Sequence, residues 1–178
     1  MFIEFTKCIL AFLIWTLIAY CIHRAAHIRS KANLLWYIHK AHHQKDYKNQ
    51  RPSWPQWYEY FFCFGTTRRT LDIWIVFVIP LIVVTTVVGG KSWTLLPLYY
   101  LYEVFLADTV VEHNPKITGA ITRFLSIGQY HLKHHAKPRV NYSFFIPLWD
   151  YVFGTCDIPQ ENSPRRNVTL TASMGTSL

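Results

Sequence analysis

Three long apolar stretches in a chain of 178 residues leave little room for anything but a membrane protein. The hydrocarbon core of a bilayer is about 30 Å thick and takes about 20 helical residues to cross. Residues 5–22, 71–88 and 93–111 each come close to that length. Pro80 inside the second is tolerable, because neighbouring helices can satisfy the backbone groups it frees. Between the second and third stretches, Gly89-Gly90-Lys91-Ser92 is long enough only for a tight hairpin. Read as buried core helices, the three stretches would lack enough polar chain to wrap them. The expectation is an all-α integral membrane protein with about three transmembrane helices under a helical cap. Residues 1–157 would form one domain, and 158–178 a polar, mobile tail.

All nine histidines fall into four short clusters. His23 and His27 make an HxxxH pair, His39, His42 and His43 an HxxHH triplet, and His131, His134 and His135 a second one. His113 stands alone in Glu-His-Asn-Pro. Helical residues three and four apart share a face, so each triplet is expected to aim three imidazoles in one direction. A closed site takes about four protein ligands per metal ion, and eight or nine imidazoles therefore imply two ions. Neutral imidazole suits iron, copper and zinc, whereas carboxylates and water suit magnesium or calcium.

Counting crossings from the first span places all nine histidines on one side of the membrane. The charges agree. Of the 18 Lys and Arg residues only Lys7 and Lys91 fall on the opposite side, and the positive-inside rule makes the histidine side cytoplasmic. That means the endoplasmic reticulum in a eukaryote and the inner membrane in a bacterium. This distribution assigns the net charge of +8 to a membrane surface, not to nucleic acid. Neither glycosylation sequon, Asn141-Tyr-Ser143 or Asn167-Val-Thr169, should then be modified. The aromatic segment 51–62 should lie at the interface, with Trp54 and Trp57 at headgroup depth. Cys8 and Cys21 sit in an apolar run and are expected as small buried side chains. The four cysteines form no CxxC, and the N-terminus lacks the order of a signal peptide.

At its histidines the chain resembles the fatty acid hydroxylase and sterol desaturase superfamily of integral-membrane di-iron oxygenases. The family order is HxxxH, HxxHH, a later single histidine often followed by Asn, and a final HxxHH, as in His23/His27, His39/His42/His43, His113-Asn114 and His131/His134/His135. Asn141-Tyr142 and Trp149-Asp150 through Phe153-Gly154-Thr155 are similar to its NYG and WDxxFGT signatures, with Ser143 where Gly is usual. The resemblance implies two iron ions, replaceable by zinc on purification, held by the nine histidines. It also implies O2 as cosubstrate and hydroxylation or desaturation of a lipid. With no fused cytochrome b5-like domain, electrons are expected from a separate cytochrome b5-like protein, ferredoxin or reductase. Ionisable groups in a span default to functional roles. Asp108 and Glu112 are candidates to orient a ligand imidazole, and Asn114, Asn141, Trp149 and Asp150 are candidates to support the site.

Two rival readings differ in specific residues. A carotenoid ring hydroxylase usually carries a second histidine in an HDxxxH third box, where Glu112-His113-Asn114-Pro115 offers one. A non-enzymatic metal-binding or metal-transport membrane protein predicts histidines at mid-membrane, whereas these lie outside the spans. The identity of the lipid, and hydroxylation against desaturation, are not written in the motifs.

Overall fold

The computed structural model describes residues 2–44 and 54–158. Three of its helices, Phe2–Ala26, Thr67–Val88 and Gly90–Glu112, are long and apolar enough to cross a membrane. They are the three expected spans, and no strand occurs among the described residues. Large apolar side chains such as Val83, Val87, Leu98 and Leu101 stand exposed along them. Such surface is costly in water but matches a lipid environment.

The spans pack around Trp15, Phe77 and Tyr99, which are all buried. The Trp15 indole meets the Tyr99 ring edge-on at 5.2 Å and donates to the Phe77 carbonyl at 3.0 Å. That carbonyl lies in a stretch of wide helical turns, Trp74–Val78. At the far end of the bundle, the hairpin after Val88 is fastened to the first span. The Lys91 amide donates to the Glu4 carboxylate at 2.8 Å, and Glu4 also takes Lys7 at 3.1 Å.

The cap is built from short helices beyond the other end of the spans. Leu34–His43 starts at Asn33, whose side chain accepts from the Trp36 amide. The Asn33 amide group also donates to the Ala25 and Ile28 carbonyls, both at 2.8 Å. One residue thus caps one helix and closes the end of the first span. The third span widens over Glu103–Glu112 into a π-helix. Its last turn closes with the His113 amide on the Asp108 carbonyl, five residues back, at 3.0 Å. Helices Gln129–Ala136 and Leu148–Val152 complete the cap.

Some expectations need correction. Cys21 is exposed and Cys8 only half-buried. In a bilayer the outer face of a span is as apolar as its inner face, so an apolar run does not predict burial. All four cysteines are free thiols. Trp54 and Trp57 are exposed, while positions 51–53 and the tail from 159 lie outside the described residues. Asn141 is fully buried, so its sequon cannot accept a glycan in the folded protein on either side of the membrane.

Candidate metal centre

All nine imidazoles come together, but in two adjacent groups. His23, His27, His39, His43 and His134 form one, and His42, His113, His131 and His135 the other, with nitrogens in each lying within 4.8 Å of one another. The expectation that each triplet aims one way is corrected by helix phase. At about 100° per residue, positions i and i+4 point about 40° apart, while i+3 lies about 100° from i+4. Thus His39 and His43 serve the first group and His42 the second. The final box mirrors this: His131 and His135 serve the second group and His134 the first. The groups share a wall where the His43 and His135 rings stack at 4.4 Å.

The outward nitrogens of four rings are engaged by acceptors. His23 Nδ1 meets the Tyr142 carbonyl at 2.7 Å and His134 Nδ1 the Val140 carbonyl at 2.7 Å. His39 Nδ1 meets the Asp72 carboxylate at 2.9 Å, and His113 Nδ1 the Asp108 carbonyl at 2.9 Å. A neutral imidazole has one N–H. These acceptors place it on Nδ1 and leave Nε2 as a bare lone pair. Yet His23 Nε2 and His134 Nε2 lie 2.9 Å apart. Two lone pairs cannot hydrogen-bond to each other; a cation between them resolves the contact. Further Nε2 atoms converge in the same way, His43–His39 at 3.1 Å, His134–His43 at 3.2 Å, His113–His135 at 3.1 Å and His135–His131 at 3.3 Å. With metal–nitrogen bonds of about 2.0–2.1 Å, neighbouring ligands stand roughly 2.9 Å apart at right angles and roughly 3.4 Å apart in a tetrahedron. His27 Nε2 is buried with no hydrogen-bond partner, a further donor suited to a cation. The donor set fits two transition-metal ions.

Burial keeps these rings neutral. It is the main cause pushing His42, His43, His131 and His134 well below the ordinary imidazole value of 6.5, with neighbouring histidines adding to it. Burial likewise pushes His27 and His135 down to about 3. Neutral imidazole is the form that ligates.

The residues expected to support the site divide. Asp108 does orient a ring, through its carbonyl on His113, while its carboxylate pairs with Arg69 at 2.8 Å. The Glu112 carboxylate accepts from the Tyr102 hydroxyl at 3.0 Å, and Glu112 lines one cavity with His39, His42 and His113. Asn114 closes the end of the third span, donating to the Val110 carbonyl and accepting from the Lys116 amide. Asn141, Trp149 and Asp150 act through a loop. Asp150 accepts from the Tyr142 and Ser143 amides at 2.9 and 2.7 Å, from Tyr130 at 2.9 Å and from Thr155 at 2.6 Å. It thereby holds the Tyr142 carbonyl that aims His23. Asn141, at a left-handed φ of 59°, donates to the Tyr130 and Asp157 carbonyls. Trp149 donates to Thr16 at 3.0 Å.

Sequence reasoning missed Asp72, although a carboxylate in an apolar span was a signal for it. It also missed the Val140 and Tyr142 carbonyls, which no residue type encodes. Ser143 needs no glycine-like backbone, and its hydroxyl accepts from the Asp150 amide at 3.0 Å. A cavity touches His39, His42 and His113 and is lined by the apolar Val76, Phe77 and Phe144 together with the ionisable Arg69, Asp72, Glu103, Asp108 and Glu112.

Fold and site together define an integral-membrane, all-helical protein with a histidine cap suited to metal. Residues 8–155 match the fatty acid hydroxylase family, and the chain belongs to it. It is also 57% identical over 28 residues to the very-long-chain aldehyde decarbonylase CER1 of Arabidopsis thaliana. That match covers 16% of this chain and 4% of the relative, so the chain spans only a small part of the relative's length. No solved structure matches the chain.

Proposed function

We propose that the chain is a membrane-bound non-haem di-iron oxygenase that hydroxylates or desaturates a C–H bond of a lipid, with O2 as cosubstrate and electrons from a separate donor. One observation carries this reading within the family: two groups of imidazoles whose Nε2 atoms face one another at 2.9–3.4 Å. Two iron ions held there would supply the redox activation of O2. The chain's own residues do the rest. Asp72, the Asp108 carbonyl and the 140–142 loop fix ring orientation. Val76, Phe77 and Phe144 supply an apolar part of the lining of the cavity beside both groups. The histidines lie at the ends of the spans, which favours this reading over metal transport. The single histidine of the third box favours it over a carotenoid hydroxylase. The positive-inside pattern supports a cytoplasmic cap.

Purified protein from iron-replete cells should hold close to two metal ions per chain. Lipids of a host expressing it should contain an oxidised product, absent with His42→Ala, His113→Ala or His134→Ala, each of which should still insert in the membrane. Fatty aldehydes belong in the same screen because of the decarbonylase likeness. One ion or none would remove the dinuclear reading, and an unchanged lipid profile would remove the enzymatic one.

A further inference from the structure

The segment between the last histidine box and the Phe153-Gly154-Thr155 signature lies against the first span far below its histidine end. Phe145 packs against Phe12 at 6.1 Å and Trp15 at 5.0 Å. On its other sides it meets Phe77 at 6.2 Å, Tyr99 at 6.5 Å and Tyr102 at 5.2 Å. Trp149 is hydrogen-bonded to Thr16, and Phe153 stacks on Tyr20 at 5.1 Å. At about 1.5 Å per residue, Thr16 lies roughly 15 Å along the helix from its end at Ala26. Measured from residue 22, where the apolar stretch ends, the depth is roughly 9 Å, about a third of a hydrocarbon core roughly 30 Å thick.

From these depths we infer that residues 144–153 form a re-entrant element. It dips into the bilayer from the cap side, returns to that side, and presents its outer face to lipid acyl chains. Irregular backbone survives at membrane depth only where its polar groups are satisfied by protein. Its backbone finds such partners. The Ile146 amide donates to the Phe144 carbonyl at 2.7 Å, the Tyr151 amide to the Pro147 carbonyl at 3.1 Å and the Phe153 amide to the Trp149 carbonyl at 2.9 Å. The Phe145 carbonyl accepts from the Ser126 amide at 3.0 Å, and the Asp150 amide donates to the Ser143 hydroxyl at 3.0 Å. Asp150 is itself fully buried, with Tyr130 and Thr155 completing its shell.

The outer face is apolar. Tyr151 is 50% exposed, Val152 60% and Phe153 46%, and beside them Phe124 is 70% and Ile121 45% exposed. Tyr151 reaches the Arg123 carbonyl at 3.4 Å, which joins the two segments into one patch. Phe153 covers the buried Tyr20 ring of the first span, so the patch abuts that span. Lipid is therefore the occupant, and a second copy of the chain is the alternative outcome. Because the element enters and leaves on one side, the nine histidines stay together.

The test uses the full-length protein in phosphatidylcholine nanodiscs, with benzoylphenylalanine at Phe124 or Val152. Leu98, exposed on the third span, serves as the lipid-facing control, and Arg139, exposed on the cap, as the aqueous one. Irradiation should add the mass of one phospholipid at 98, 124 and 152 and none at 139. Adducts at 98 but not at 124 and 152 would overturn the inference, and so would a covalent dimer through 124 or 152. Neither result would touch the metal chemistry, which this inference does not use.

Discussion

The carboxylate of Asp150 accepts from two backbone amides and two hydroxyls, a set that only an acceptor-only side chain satisfies fully. Asn at this position turns an NH2 group toward a donor. Each buried group left unpaired costs about 1–3 kcal/mol. The 141–143 loop would loosen, and with it the carbonyl that fixes His23. Partners that orient a ligand ring typically contribute about 10–100-fold to metal affinity. Asp150→Asn is expected to lose metal to a competing chelator by that factor while still inserting in the membrane. Asp72→Ala should do the same through His39, with the loss confined to the first group of histidines. Unchanged metal affinity in both variants would show that the rings are held by packing alone. The two carboxylates differ in how they act: Asp72 touches the ring, whereas Asp150 acts through one peptide group.

At the scale of elements, the final box depends on how its helix is started. Gly128 precedes Gln129–Ala136 with φ of 56°, and a Cβ there would lie 2.4 Å from the Ile117 carbonyl oxygen. The Gly128 amide also ties this helix to the third span through the Val111 carbonyl at 3.1 Å. Gly128→Ala therefore meets both a left-handed backbone and a backbone clash, and little folded, metal-loaded protein should be recovered. Ser143→Gly restores the usual family residue and removes only one hydroxyl contact, so it should cost about 1 kcal/mol and leave metal content intact. Size-exclusion recovery and metal analysis would separate the two outcomes. The spans, the hairpin and the box helices were legible in the sequence because apolar length and i, i+3, i+4 spacing encode them directly. The division of each box between two groups was not, since it depends on where a neighbouring helix crosses. The depth of 144–153 was also hidden, because a short run with one buried Asp has neither the length nor the composition of a span.

Taken whole, the molecule gathers nine imidazoles in its cap and holds the buried ones neutral, which ties its stability to acidity. An unfolded chain takes up protons on histidine near the ordinary value of 6.5, whereas burial in the folded protein keeps His27 and His135 unprotonated down to about 3. His42, His43, His131 and His134 are pushed in the same direction. Between those limits the unfolded state binds more protons, so stability falls as pH drops below 6.5 and is unaffected by these groups above it. Bound metal steepens the fall, because protons and metal compete for the same lone pairs. The thermal midpoint of metal-free protein in detergent should be flat above pH 6.5 and decline steadily below it, and metal should be released over the same interval. Replacing His27 and His135 together by Gln should flatten the decline in the metal-free protein. A midpoint that rises on acidification would mean that the rings are charged in the folded cap, and the paired Nε2 atoms could not then be open to metal.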